Sequence, residues 1–143
     1  MKEYKRILIA VDGSDQSLKA FKEVLSIARG SQNAAIYIVA VINDVELSTS
    51  AYSYGKVFAQ EKELTENRVL KLVQDAREVN IHQTVPYVIV GNPKSVIVNY
   101  AEEKAIDLIV LGATGKGAIQ RALVGSTAAY VVNHAPCSVL VVK

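Results

Sequence analysis

Several features are scarce or missing in this chain, and each absence narrows what it can be. A single cysteine, Cys137, excludes a disulfide within the chain and fits a reducing compartment. Lysine and arginine total 16 against 14 acidic residues, and no dense basic run occurs, so nucleic acid is not the expected partner. No apolar run approaches the roughly 18 residues of a membrane span. The opening stretch leads into too few apolar residues before Asp12 to form the core of a secretory leader. These absences point to a cytoplasmic protein. The two histidines, His82 and His134, stand alone and have no metal-ligand spacing. Nor does the chain contain a Ser-His-Asp signature, a nucleophile elbow or paired carboxylates, so no catalytic residue is assigned.

What is present is half hydrophobic and about a fifth charged, over 143 residues. That suffices for one domain spanning 1–143 with a real core. Ile7 to Val11 reads as a strand, closed by the turn residues Asp12-Gly13-Ser14. Ser14 can cap a helix running to Ala28, whose apolar residues recur at spacings of three and four, with Gly30 as its C-terminal glycine. Ala35 to Ile42 reads as a second strand. Strand, helix and strand in succession make a βαβ unit. Val45 to Lys56 has no period and reads as a loop or frayed helix start, placed where a lid over a ligand would sit. Its Tyr52 and Tyr54 either stack on a base or anchor the loop. Phe58 to Val79 is a long amphipathic helix, and His82 to Val90 a third strand whose Pro86 suits a sheet edge. Asn92 caps, and Pro93 begins, a helix that runs to Lys104.

The most informative stretch follows. Leu108 to Leu111 has the character of a buried parallel strand, and the loop after it carries glycines at 112, 115, 117 and 125. Ser126-Thr127 then opens a helix to Asn133, and Ser138 to Val142 is a fifth strand. Strand, glycine loop and helix start present backbone N–H groups and a positive dipole end to an anion, which is the build of a phosphate cradle. The spacing is neither a Walker loop nor a dinucleotide fingerprint. Lys116 and Arg121 carry suitable charge for phosphates or sit in solvent, and spacing does not choose between these.

Five strands alternating with helices predict an α/β fold, a single doubly wound, Rossmann-like parallel sheet of order 3-2-1-4-5 with helices on both faces. That order sets strands one and four side by side at the switch point, where Asp12 and the glycine loop converge. It also leaves strand five, Ser138 to Val142, as an apolar edge, and pairing with a second copy would cover it. A homodimer through this strand is the expectation.

Ile7-Leu8-Ile9-Ala10-Val11-Asp12-Gly13-Ser14, Gly91-Asn92-Pro93, the loop Gly112-x-x-Gly115 with Gly125-Ser126 nine residues on, and Pro136-Cys137-Ser138-Val139-Leu140-Val141-Val142 together resemble the ATP-binding branch of the universal stress protein family along the whole chain. The resemblance implies a small cytoplasmic, homodimeric stress-response or regulatory module that binds ATP or another adenine nucleotide, without rapid turnover. It further implies that Ala10, Val11 and Val41 line the adenine, and that Asp12 meets the ribose or, through a magnesium ion, the phosphates. Gly112, Ala113, Thr114, Gly115 and Lys116 would wrap the ribose and phosphates, with Gly125, Ser126 and Thr127 holding the phosphate tail. The second reading is an enzyme using the same pocket, as a slow magnesium-dependent ATPase or an adenylate-transferring enzyme.

Overall fold

In a computed structural model of the chain, residues 3–31, 33–43, 54–114 and 124–143 are described, Tyr54 by its backbone only. The elements in order are β1 (Arg6–Ala10), α1 (Asp15–Arg29), β2 (Ala35–Ile42), α2 (Tyr54–Glu78), β3 (Thr84–Val90), α3 (Pro93–Glu103), β4 (Leu108–Gly112), α4 (Ser126–His134) and β5 (Ser138–Val142). The strands form a parallel sheet of order β3-β2-β1-β4-β5, as the alternation of strands and helices predicts. β3, with Pro86, is indeed an edge, where a missing N–H costs least.

Alternation along each strand divides the core in two. Ile7, Ile9, Ile36, Ile38 and Val110 face α1 and α2, packing on Phe21 and Val24 of the first and on Val69 and Leu72 of the second. Leu8, Val39, Ile109 and Leu111 face the other way, onto Ile97 and Tyr100 of α3 and Val131 of α4. Burying each such aliphatic side chain contributes about 1.5–3 kcal/mol, so the central strands β1 and β4 anchor both layers. Because α1 follows β1 on one face and α4 follows β4 on the other, the connections part between these neighbouring strands, the switch point at whose carboxyl ends folds of this kind open a crevice.

Local chemistry explains where the helices begin and end. The Ser14 side chain accepts the Ser17 N–H at 3.2 Å, and Asn92 accepts the Lys94 N–H at 3.0 Å with Pro93 in the first turn. Gly30 closes α1 in a right-handed conformation, with φ −80°, and the left-handed residue at that corner is Asn33, with φ 70°. The long helix starts at Tyr54 rather than Phe58, so the end of the stretch 45–56 is helical. Residues 45–53, with Tyr52 and the lid expectation, lie outside the described residues. Among the described residues, no helix is long and apolar enough to cross a membrane.

Candidate functional site

The crevice is assembled from the turn after β1. The Val11 N–H continues the ladder to the Val39 carbonyl at 2.9 Å, and the chain then turns sharply. Asp12 is exposed, and its Oδ1 accepts the Ser14 N–H at 2.9 Å. Its own N–H is 3.4 Å from the Ser17 hydroxyl, which in turn donates to the Ser14 carbonyl at 2.9 Å. Gly13 has φ +83°, a conformation that side chains rarely adopt. The Arg68 guanidinium of α2 lies across it, with Nη1 2.8 Å from where a Cβ would stand. A cation of α2 thus sits beside the turn.

The opposite wall is β4 and its loop. Gly112 packs so closely on α1 that an added Cβ would fall 3.0 Å from both the carbonyl carbon and the Cβ of Gln16. Gln16 Oε1 accepts the Thr114 N–H at 2.7 Å, fastening the loop to α1. The Ala113 N–H donates to the Val142 carbonyl at 2.7 Å, and the Gly125 N–H to the Ala113 carbonyl at 2.6 Å. The start of α4 is thereby brought against the end of β4. The cap of α4 is Gly125, not the Ser126 hydroxyl that the sequence suggested. Gly125 has no side chain to accept an N–H, and the first turn of α4 contains no acidic residue. Ser126, exposed, and Thr127, half-buried, therefore open a helix whose positive end is capped by no side chain among the described residues.

Of the residues expected at the site, Ala10, Asp12, Val41, Gly112, Thr114, Gly125, Ser126 and Thr127 all stand at the carboxyl ends of the strands or the start of α4. Ala10 and Val41 share the face toward α3 and α4. Val11 points the other way, into the core under α1 and α2, and Ala113 is 1% exposed, so these two offer only their main chain. Gly115, Lys116, Gly117 and Arg121 lie outside the described residues. Neither Gly112 nor Gly125 has positive φ. Gly112 instead permits the close packing on α1. Among the described residues, no three His, Cys, Asp or Glu side chains group as metal ligands.

The family model described as "Universal stress protein family" matches residues 3–143. The chain belongs to that family. A universal stress protein of Methanocaldococcus jannaschii is 40% identical over 144 residues, an alignment covering 98% of this chain and 82% of that protein. Among solved structures, universal stress protein UspA from Lactobacillus plantarum superposes with a TM-score of 0.90 at 32% identity, each chain covered in full. A universal stress protein solved in complex with cAMP superposes with a TM-score of 0.71 at 25% identity, covering 99% of this chain and 98% of that one.

Within this universal stress protein fold, three residues that sequence reading did not single out shape the crevice. Gln16 and Ser17 tie the loops after β4 and β1 to the first turn of α1, and Arg68 crosses from α2 to Gly13. No local pattern marks them. Gln16 and Thr114 are 98 positions apart, and only the β1–β4 pairing brings them together.

Proposed function

We propose that this universal stress protein binds an adenine nucleotide, with ATP as the first candidate, in the crevice between β1 and β4. The observation that carries the reading is the start of α4, capped by Gly125 with no side-chain bond, beside the Gly112–Thr114 loop at the sheet's switch point. Phosphates would take the N–H groups of the first turn at Ser126 and Thr127, and Gly115 and Lys116 would complete the wrap. Ala10 and Val41 offer an apolar wall for the base, and Asp12 a carboxylate for the ribose. The related structure in complex with cAMP supports an adenine ligand. In the alternative placement Asp12 meets the phosphates instead, through a magnesium ion that the nucleotide's own oxygens would also hold, since magnesium typically keeps several waters and takes few protein carboxylates. The protein would act as a cytoplasmic one-domain stress-response module that reports nucleotide state.

The test is to purify the protein, denature it, and identify released nucleotide by chromatography and mass. This is followed by calorimetric titration of the emptied protein with ATP, AMP, cAMP and GTP. Adenine nucleotide recovered in near-equal proportion to protein, or micromolar binding of an adenine nucleotide over GTP, is the expected result. An empty protein that binds none of them overturns the reading. The alternative, a slow magnesium-dependent ATPase or adenylate-transferring enzyme in the same pocket, requires product beyond a few turnovers per hour, far below typical rates of about ten per second.

The assembly proposed is a homodimer through β5. That strand is a sheet edge, Leu140 on it is 36% exposed, and Val132 on the neighbouring α4 is 53% exposed. Leu140→Lys places a charge on the edge, a common device against strand pairing. Light scattering behind a sizing column is expected to show a dimer for the parent and a monomer for this variant. An unchanged dimer would place the interface elsewhere.

A further inference from the structure

At the amino-terminal end of the sheet, opposite the crevice, lies an open surface cavity of about 590 Å³. Its lining includes Tyr37 from β2, Tyr87 from β3, Tyr100 from α3, and the charged residues Arg6, Glu103 and Lys104. The sheet register explains the convergence. Val39 is paired with Tyr87 and Tyr37 with Val85, so the tyrosines of β2 and β3 share one face, and α3 lays Tyr100 over them. The Tyr87 and Tyr100 rings stack at 4.4 Å with 14° between planes, and Tyr37 meets Tyr100 edge-on at 6.2 Å.

Tyr100 is the telling residue. Only 6% of it is exposed, and its hydroxyl makes no hydrogen bond among the described residues. Yet no buried side-chain oxygen among them is left without a partner. The hydroxyl is therefore not sealed in the core, and Tyr100 is one of the residues that line the cavity. Burial and the neighbouring Tyr37, Tyr87 and Glu103 raise the pKa of this phenol, keeping it a neutral donor.

The charges around the phenols define the complement. Arg6 is held by a 2.8 Å bond from Nη1 to the Lys104 carbonyl, which orients its planar fork and leaves its other N–H groups available. The Lys104 ammonium stands 5.8 Å from the Tyr100 ring centre and 3.9 Å from Glu103. Two cations and one carboxylate sum to a single positive charge, which suits a monoanion better than a dianionic phosphate. We propose that this cavity is a second ligand site, for a small aromatic carboxylate, with its ring against the tyrosines and its carboxylate between the Tyr100 hydroxyl, Arg6 and Lys104. The site stands independently of the nucleotide reading, and β5 at the far edge leaves it open in the proposed dimer.

The test is an NMR titration of the full ¹⁵N-labelled chain with 2-naphthoate and, as a neutral control, naphthalene-2-carboxamide. Saturable shifts at amides around Tyr37, Tyr87 and Lys104, with the amide binding about tenfold more weakly, are expected. Tyr100→Phe, which keeps the ring stack, should weaken 2-naphthoate about fivefold, consistent with losing one hydrogen bond. Lys104→Gln, on the surface, should weaken it by a similar factor, and it carries the test alone if the Tyr100 variant does not fold. Shifts confined to the crevice, equal affinity for acid and amide, or a Lys104→Gln variant that binds as the parent does would each overturn the proposal, leaving the tyrosines as packing.

Discussion

Gly112→Val is expected to lower stability by about 1–3 kcal/mol, the usual cost of overpacking a well-filled site, and to abolish nucleotide binding with it. The valine Cβ would stand 3.0 Å from the Gln16 carbonyl carbon and 3.2 Å from the Ser17 nitrogen. These are backbone atoms of the first turn of α1, so no flexible side-chain end can swing aside, and α1 must lift from β4. Lifting it breaks more than packing. Gln16 holds the Thr114 N–H, Ser17 is the partner of the Asp12 N–H, and the Ser14 cap is part of the same turn. The two walls of the crevice lose their common support together. Thermal unfolding should show a midpoint lower by about 3–10 °C, and calorimetry no binding of ATP. Gly112→Ala, with the Cβ but no branches, should fall between the two. A valine variant as stable as the parent would show that α1 is not held where the contact distances put it.

That contact also shows what kind of information the linear sequence carries. The strands were legible because apolar runs of five to eight residues bounded by turn residues have few other uses, and the sheet order follows from connection rules. The caps at Ser14 and Asn92 were legible because a side chain makes the bond locally. The start of α2 was misplaced because its second residue is Gly55, a poor helix former that follows a Ser- and Thr-rich stretch. The cap of α4 was misassigned for the opposite reason. The favourable hydroxyl lies one residue inside the helix, and the cap position is held by Gly125, which makes no side-chain bond. Gln16, Arg68 and the tyrosine cavity were invisible because each depends on elements far apart in the chain. Tyr37, Tyr87 and Tyr100 are ordinary half-apolar residues in their own elements, and only register and helix placement make them a site.

Gly125→Asp is expected to do the reverse of Gly112→Val: leave the fold as stable as before, within about 0.5 kcal/mol, while weakening ATP by about tenfold to a hundredfold. Asp is as good an N-cap as Gly or better, and the φ of −70° and ψ of 166° at this position suit any residue. An added Cβ meets the Ala113 carbonyl oxygen at 3.3 Å, which asks for a shift of a few tenths of an ångström. The new carboxylate would accept the N–H groups at the start of α4, the same groups proposed for the phosphates, and it would bring a negative charge to the positive end of the helix. Adenosine, which has no phosphate, should bind both proteins alike. Gly125→Asn separates the two effects, since it can occupy the N–H groups without the charge, and an intermediate loss is expected. Unfolding curves and calorimetric titrations of ATP and adenosine against the three proteins make the measurement. Undiminished ATP binding by a stable Gly125→Asp variant would remove the phosphates from α4. Loss of adenosine binding in the same variant would mean that the position acts on the base or ribose. Only loss of ATP with adenosine retained assigns the start of α4 to the phosphates, because only the phosphates compete with a cap for the same N–H groups.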